Sequence, residues 1–218
     1  MHRRRRTAIS FSVALLAAAP LLTACGNDSH AGAAAVVGGQ RIEVSALQAE
    51  VRDVRSAQRS APYADQLIKN TGQLGQAKLN NMIFDRILQR SADDAGVKVS
   101  RKEVQAIREQ AVAGSGGERQ FTETQLQQRA LTSDQIDTAI RREVLFDKLA
   151  KALGADTSTP QGVQTALADL TATSKKLGVD VNPRYGSWDE KEVRLTEAKQ
   201  SWITQVTREA TEEQPTGA

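Results

Sequence analysis

The chain has 218 residues, with 29 Lys and Arg against 26 Asp and Glu, one cysteine and two histidines. Four of the Arg lie in residues 1–24, which hold no acid, so the rest carries 25 basic and 26 acidic residues, and no basic surface for nucleic acid is implied. One cysteine excludes an intramolecular disulfide, and two histidines far apart from any cysteine cluster give neither a histidine-based metal site nor a Ser-His-Asp triad.

Residues 1–24 read as an export signal rather than as part of the fold. Arg3 to Arg6 form a positive start, Ala8 to Leu22 an apolar run, and Leu22-Thr23-Ala24-Cys25 a small-residue cleavage site ending in cysteine. The run is short for a membrane span and contains Pro20. The tetrapeptide resembles the lipobox of bacterial lipoproteins. That resemblance implies cleavage before Cys25 and a diacylglycerol on its sulfur, which removes the free thiol. His2 would leave with the signal, and His30 sits in residues 25–32, a small, polar stretch that reads as a flexible tether.

Ala33 to Val37 reads as a short strand, Gly38-Gly39 as a turn and Gln40-Arg41-Ile42 as the return. Ser45 with Gln48 three residues on predicts a capped helix that presents Leu47, Val51 and Val54 and stops near Ser60, before Pro62. Residues 61–75 read as a loop with a possible short helical turn. Leu79, Ile83 and Ile87 then fall at i, i+4 and i+8, widened by Phe84 and Leu88, on a long amphipathic helix. Gly96 supplies its stop, Val97 and Val99 a β-like step, and Ser100 with Glu103 a capping box for the next helix.

That helix shows Val104, Ile107 and Ala111 on one face and ends at Gly114-Ser115-Gly116-Gly117, which lacks the Lys of a phosphate-binding loop. Phe121 to Ala130 reads as a short polar helix anchored by Phe121 and Leu126. Thr132 and Gln135 open a stronger one carrying Ile136, Ile140, Val144, Leu145, Leu149 and Leu153. Residues 154–159 read as a linker. Thr159 and Pro160 start a helix with Val163, Leu167 and Leu170, which Gly178 ends. Val179 to Val181 is β-like, Pro183 ends its pairing, and Gly186 permits a turn that folds Trp188 back onto the helices. Glu190 to Arg208 reads as a weak final helix through Val193, Trp202, Ile203 and Val206, and residues 209–218 as disordered.

Three of these segments carry a resemblance. The pattern L-(x)-x-M-I-x-x-x-I-L-x-x-x-A-x-x-A-G-V-x-V-S-x-x-E-V, over Leu79 to Val104, resembles the N-terminal chaperone domain of the SurA and PrsA families of extracytoplasmic folding factors. The same helix–Gly–step–helix unit occurs in the peptide-binding domain of trigger factor. The opening A-V-V-G-G-x-x-I-x-x-S-x-L is similar to the start of that domain. The segment V-x-V-N-P-R-(Y/F)-G-x-W, here Val179 to Trp188, resembles the closing strand and turn of SurA-type lipoproteins. In relatives a parvulin prolyl-isomerase domain follows at about residues 154–159. An independent domain needs ~50 residues or more, so the insert is absent and the family's catalytic activity goes with it.

The expected fold is therefore mainly α: a SurA N-terminal-like helical domain over residues 33–188, with a minimal β-element pairing Ala34–Val37 with Val179–Val181, and a weakly helical to disordered tail over 189–218. The resemblance implies a lipid-anchored, chaperone-like lipoprotein on the extracytoplasmic face of the cell membrane. It would bind unfolded or newly secreted polypeptides in a cleft between helical arms, without ATP, cofactor or metal. The second reading is a structural adaptor in a cell-envelope complex. Cys25 is the one site residue, for lipidation; no catalytic residue and no client contact can be singled out. Asp93-Asp94 and Glu212-Glu213 read as solvated charges. Trp188 and Trp202 read as core or capping residues in preference to client contacts.

Overall fold

The computed structural model describes residues 31–197. Cys25, His30, Trp202, Ile203, Val206 and Glu212-Glu213 lie outside the described residues, and with them the expected lipidation site and most of the expected final helix. The elements run β1 (Ala33–Val37), β2 (Gln40–Glu43), α1 (Val44–Ser60), α2 (Ala64–Asn70), α3 (Leu74–Asp94), α4 (Arg101–Gly114), α5 (Glu118–Arg129), α6 (Ser133–Ala152), α7 (Pro160–Leu177), β3 (Val179–Val181), β4 (Ser187–Asp189) and β5 (Arg194–Thr196).

Helix α3 is the axis of the molecule. Its stripe Leu79, Ile83, Ile87 and Leu88 is fully buried, against α1, α6, α7, β1 and β5. Gly96 follows with φ +67°, the left-handed conformation expected of the stop. The body core joins this stripe to Leu47 of α1, Leu145 and Leu149 of α6 and Leu170 of α7. A second, smaller core joins Val104 of α4, Phe121 of α5 and Ile136, Ala139 and Ile140 of α6. The second core makes α4, α5 and the first half of α6 an arm. Helix α6 runs through both cores, and Val99 packs against both. The predicted Ser100 capping box is present: Ser100 Oγ accepts from Glu103 N–H, and Glu103 accepts from Ser100 N–H at 2.8 Å. Lys148 of α6 reaches the same carboxylate at 2.7 Å and ties the arm's entry to α6.

The expected long-range pairing is present. The sheet order is β2-β1-β3, all antiparallel, with Ala35 opposite Val181 and Val37 opposite Val179. The Asn182 side chain donates to Ala33 O at 3.2 Å and extends the seam one residue further.

Four expectations change. The α1 cap is not Ser45. The helix starts at Val44, whose N–H donates to Gly32 O at 2.9 Å, so the incoming chain supplies the acceptor and no side-chain cap is used. The stretch 61–75 is more helical than a loop with one short turn. It contains α2 and the first two residues of α3, and Arg55 of α1 donates to Ile68 O and Thr71 O and Gln58 donates to Leu67 O, binding the carbonyls that end a seven-residue helix. The described part of the expected tail is a β4–β5 hairpin, not a weak helix. Val193 sits at its turn with φ +49°, and Val193 and Leu195 are buried in the body core. Ile107 and Leu153, expected on apolar faces, are exposed: α4 turns Ile107 outward past Val104, and Leu153 is the C-cap residue of α6.

Candidate functional site

Between body and arm, a groove runs along one side of α3. Lys78, one residue before the buried stripe, is the feature around which it is built. Its side chain is 6% exposed. Its ammonium donates to Gln135 Oε1 at 2.6 Å and to Ala130 O at 3.0 Å. Ala130 ends α5 in the left-handed region (φ +50°), a conformation costing a residue with a Cβ roughly 1–2 kcal/mol. The lysine thus secures the corner where α5 turns into α6.

Gln135 is the hub of the network. Its Oε1 also accepts from Thr132 N–H at the start of α6, the predicted box interaction, and its Nε2 donates to Glu50 of α1. Burial lowers the Lys78 ammonium from 10.5 to about 8, with the Glu50 carboxylate opposing that shift and the Arg142 guanidinium adding to it. Arg142 of α6 forks onto Asp85 of α3, with Nη2–Oδ2 at 2.8 Å, and the bond to Asp85 holds its guanidinium above the ordinary value.

Two hollows meet at Lys78 and Asn81. One, of about 160 Å³, is lined by Glu50, Asp53, Met82, Asp85, Asp134 and Arg142. The other, of about 360 Å³, has Leu74 and the exposed Ala77 as its floor and Asn70, Gln73, Gln127 and Gln128 as its rim. Side-chain amides both donate and accept, so such a rim can bond the backbone of a polypeptide whatever its sequence. A third hollow, of about 270 Å³, lies on the arm between α4 and α6, lined by Val99, Val104, Asp137 and Arg141.

The remaining sequence candidates fall elsewhere. Asp94 is exposed at the end of α3, held below the usual carboxylate range first by the Arg90 hydrogen bond, with Lys176 also nearby. Asp93 accepts from Gln89 at 2.7 Å. Gly114 to Gly117 connect α4 and α5. Trp188 packs half-buried on the body core and donates to Ser174 Oγ at 2.9 Å, in keeping with the core or capping role expected of it. Among the described residues, no group of His, Cys, Asp and Glu is placed to hold a metal. None of their helices is long and apolar enough to cross a membrane.

Reading the sequence missed Lys78 and Gln58 as buried polar residues, and Gln135 as the hub of the Lys78 network. Lys78 shares a helical face with Asn81 and Asp85, but the same spacing occurs on any solvated helix, so periodicity alone carries no signal of burial.

A family model described as the SurA-like N-terminal domain matches residues 1–150. The chain belongs to that family. The matched span of this SurA-like protein begins at residue 1 and ends within α6, so it takes in α1 to α5, the Lys78 network and the groove. Helix α7 and strands β3, β4 and β5 follow the matched residues. The α6–α7 connection, where the isomerase insert was expected to be missing, covers residues 153–159. No curated protein and no solved structure gives a match.

Proposed function

We propose that this SurA-like protein is a membrane-tethered, extracytoplasmic chaperone-like lipoprotein that holds unfolded or newly secreted polypeptides, without ATP and without prolyl-isomerase activity. Membership of a family built on a chaperone-type domain carries the reading. The amide-rimmed groove along α3 supports it, because it offers apolar surface beside groups that bond any peptide backbone. The tether rests on Leu22-Thr23-Ala24-Cys25 and places the acyl chains on Cys25.

The test is suppression of aggregation. Pure protein at stoichiometric ratio should slow light scattering by several unrelated unfolded proteins, without nucleotide. It should leave the isomerisation rate of a proline-containing peptide unchanged. Protection of no client, with a pull-down from membranes that yields one stoichiometric partner, would replace the reading by an envelope adaptor. In cells, Cys25→Ser should release the protein from the membrane or leave it unprocessed; an unmodified Cys25 in the membrane-bound protein, seen by intact mass, contradicts the tether.

A further inference from the structure

Helix α6 borders two hollows of opposite charge. The smaller one, beside Lys78, is lined by the carboxylates of Glu50, Asp53, Asp85 and Asp134 against two cations, Lys78 and Arg142. The hollow on the arm, of about 270 Å³, has the reverse balance. Its cations are Arg101 of α4 and Arg141 of α6, and its one lining carboxylate, Asp137, accepts from Arg108 at 2.7 Å. That hydrogen bond is the largest cause of the raised Arg108 value, so Asp137 is already matched by a cation. Thr138 lines both hollows, so they adjoin.

The two arginines of the arm hollow have charge to spare. Arg101 is exposed, and its guanidinium makes no hydrogen bond or ion pair with another described residue. Arg141 is exposed and donates to Gln89 Oε1 at 2.8 Å, a neutral amide whose nitrogen donates to Asp93. Val99 and Val104 give the hollow its apolar floor. The side chains of Gln105 and Thr138, on facing walls, also make no hydrogen bond to another described residue.

A lone exposed arginine is ordinary, but two from facing helices over an apolar floor select an occupant. Charge balance calls for an anion, and a guanidinium fork fits a carboxylate. The valines call for an aliphatic group. An amide and a hydroxyl that both donate and accept suit a peptide backbone, whereas a lipid acyl chain needs apolar surface well beyond two valines. The volume lies below the roughly 300–1,000 Å³ of sites that enclose a whole small ligand, so the hollow takes one or two side chains of a longer chain.

We propose that the hollow between α4 and α6 is a second polypeptide-binding site, selective for an acidic residue next to an aliphatic one. The aliphatic side chain rests on Val99 and Val104, and the carboxylate sits between Arg101 and Arg141. Gln105 and Thr138 bond the backbone of the bound segment. The site is separate from the α3 groove and does not rest on the holding activity; a protein that protects no client can still pass its test.

That test is calorimetric titration of the pure protein with the octapeptide Gly-Ser-Glu-Leu-Val-Glu-Ser-Gly. Acetyl and amide ends leave its side-chain carboxylates as the only anions. It should bind about tenfold more tightly than the same peptide with Lys for both Glu, or with Ser-Ser for Leu-Val. Arg101→Glu with Arg141→Glu should abolish the preference. Arg52→Glu with Arg59→Glu changes the net charge equally, at two exposed positions of α1, and should keep it. Should the arm variant fail to fold by circular dichroism, Arg101→Gln, which has no partner to lose, should still weaken binding several-fold. Equal binding of the Glu and Lys peptides, a preference that survives the arm variants, or one lost equally in the α1 variant overturns the proposal. Binding of phosphatidylglycerol vesicles through Arg101 and Arg141, without any peptide preference, overturns it equally.

Discussion

Lys78 illustrates how a single polar residue can be placed by its surroundings rather than by its own preference. Its ammonium loses solvation and regains two hydrogen bonds, to Ala130 O and Gln135 Oε1. Its folded-state value, about 8, lies below the usual 10.5. Between those two pH values the unfolded chain binds more protons than the folded one, so this group makes stability rise with pH across that window; below about 8 the penalty on the charged form is fully present. Urea unfolding should show the wild type gaining on Lys78→Met between pH 7.5 and pH 10. A difference that is flat or shrinks would mean that Lys78 keeps its ordinary value. Trp188 gives a second residue-scale expectation. Trp188→Ala empties a half-buried site and leaves the fully buried Ser174 hydroxyl without its donor. The loss should be about 3 kcal/mol, the low end for a large aromatic. Trp188→Ala should therefore lower Tm clearly more than Trp202→Ala.

At the scale of elements, helices set their own interiors while their ends are set by neighbours. The Ser100–Glu103 box at α4 is local and was readable. The start of α1, by contrast, uses Gly32 O, and α2 exists because Arg55 and Gln58 of α1 bind its last carbonyls. The β4–β5 hairpin depends on one contact of this kind. Gly186 has φ +129°, and a Cβ there would stand 2.1 Å from Thr196 O, within the paired strand. Gly186→Ala should destabilise by well over 1 kcal/mol, because the backbone cannot give way without breaking the pairing. Gly96→Ala is the comparison: φ is +67° but nothing lies within 4 Å, so only the conformational term of roughly 1–2 kcal/mol remains. Chemical denaturation of both variants checks the order; a Gly186→Ala chain as stable as Gly96→Ala would mean that the hairpin opens freely.

At the scale of the whole molecule, the family match and the folding unit have different ends. The match stops at residue 150, yet Leu170, Val181, Val193 and Leu195 belong to the body core, and β3 is the partner of β1. A chain stopped after Ala150 leaves β1 paired only with β2, and a lone hairpin is at best marginally stable in water. It also exposes the face of α3 that α7 covers. Such a chain should lack a cooperative thermal transition by circular dichroism, whereas one stopped after Glu197 should keep it. A sharp melt from the 150-residue chain would show that the body core closes without its C-terminal third.

The helical class, the order of α1 and α3 to α7, the stop at Gly96 and the α4 capping box were legible because each is written in local pattern; the β1–β3 seam was legible because two short β-like segments each needed a partner for their backbone groups. Apolar residues at a period of 3.6, a glycine where the chain must turn left-handed, and a Ser three residues before a Glu all act within one or two turns of backbone. The SurA-like pattern was legible for the same reason, as a series of such local units in order. What tertiary structure alone decided was the non-local part. It buried Lys78 while leaving Ile107 in solvent, although both lie on amphipathic helices. It made a hairpin of a stretch whose apolar spacing suggested a helix, by drawing Val193 and Leu195 into a core assembled from α3 and β1. It brought α1, α3, α5 and α6 together around one ammonium, forming a groove that no single segment contains. Burial and hydrogen-bond satisfaction are properties of surroundings, and surroundings exist only once distant segments have met.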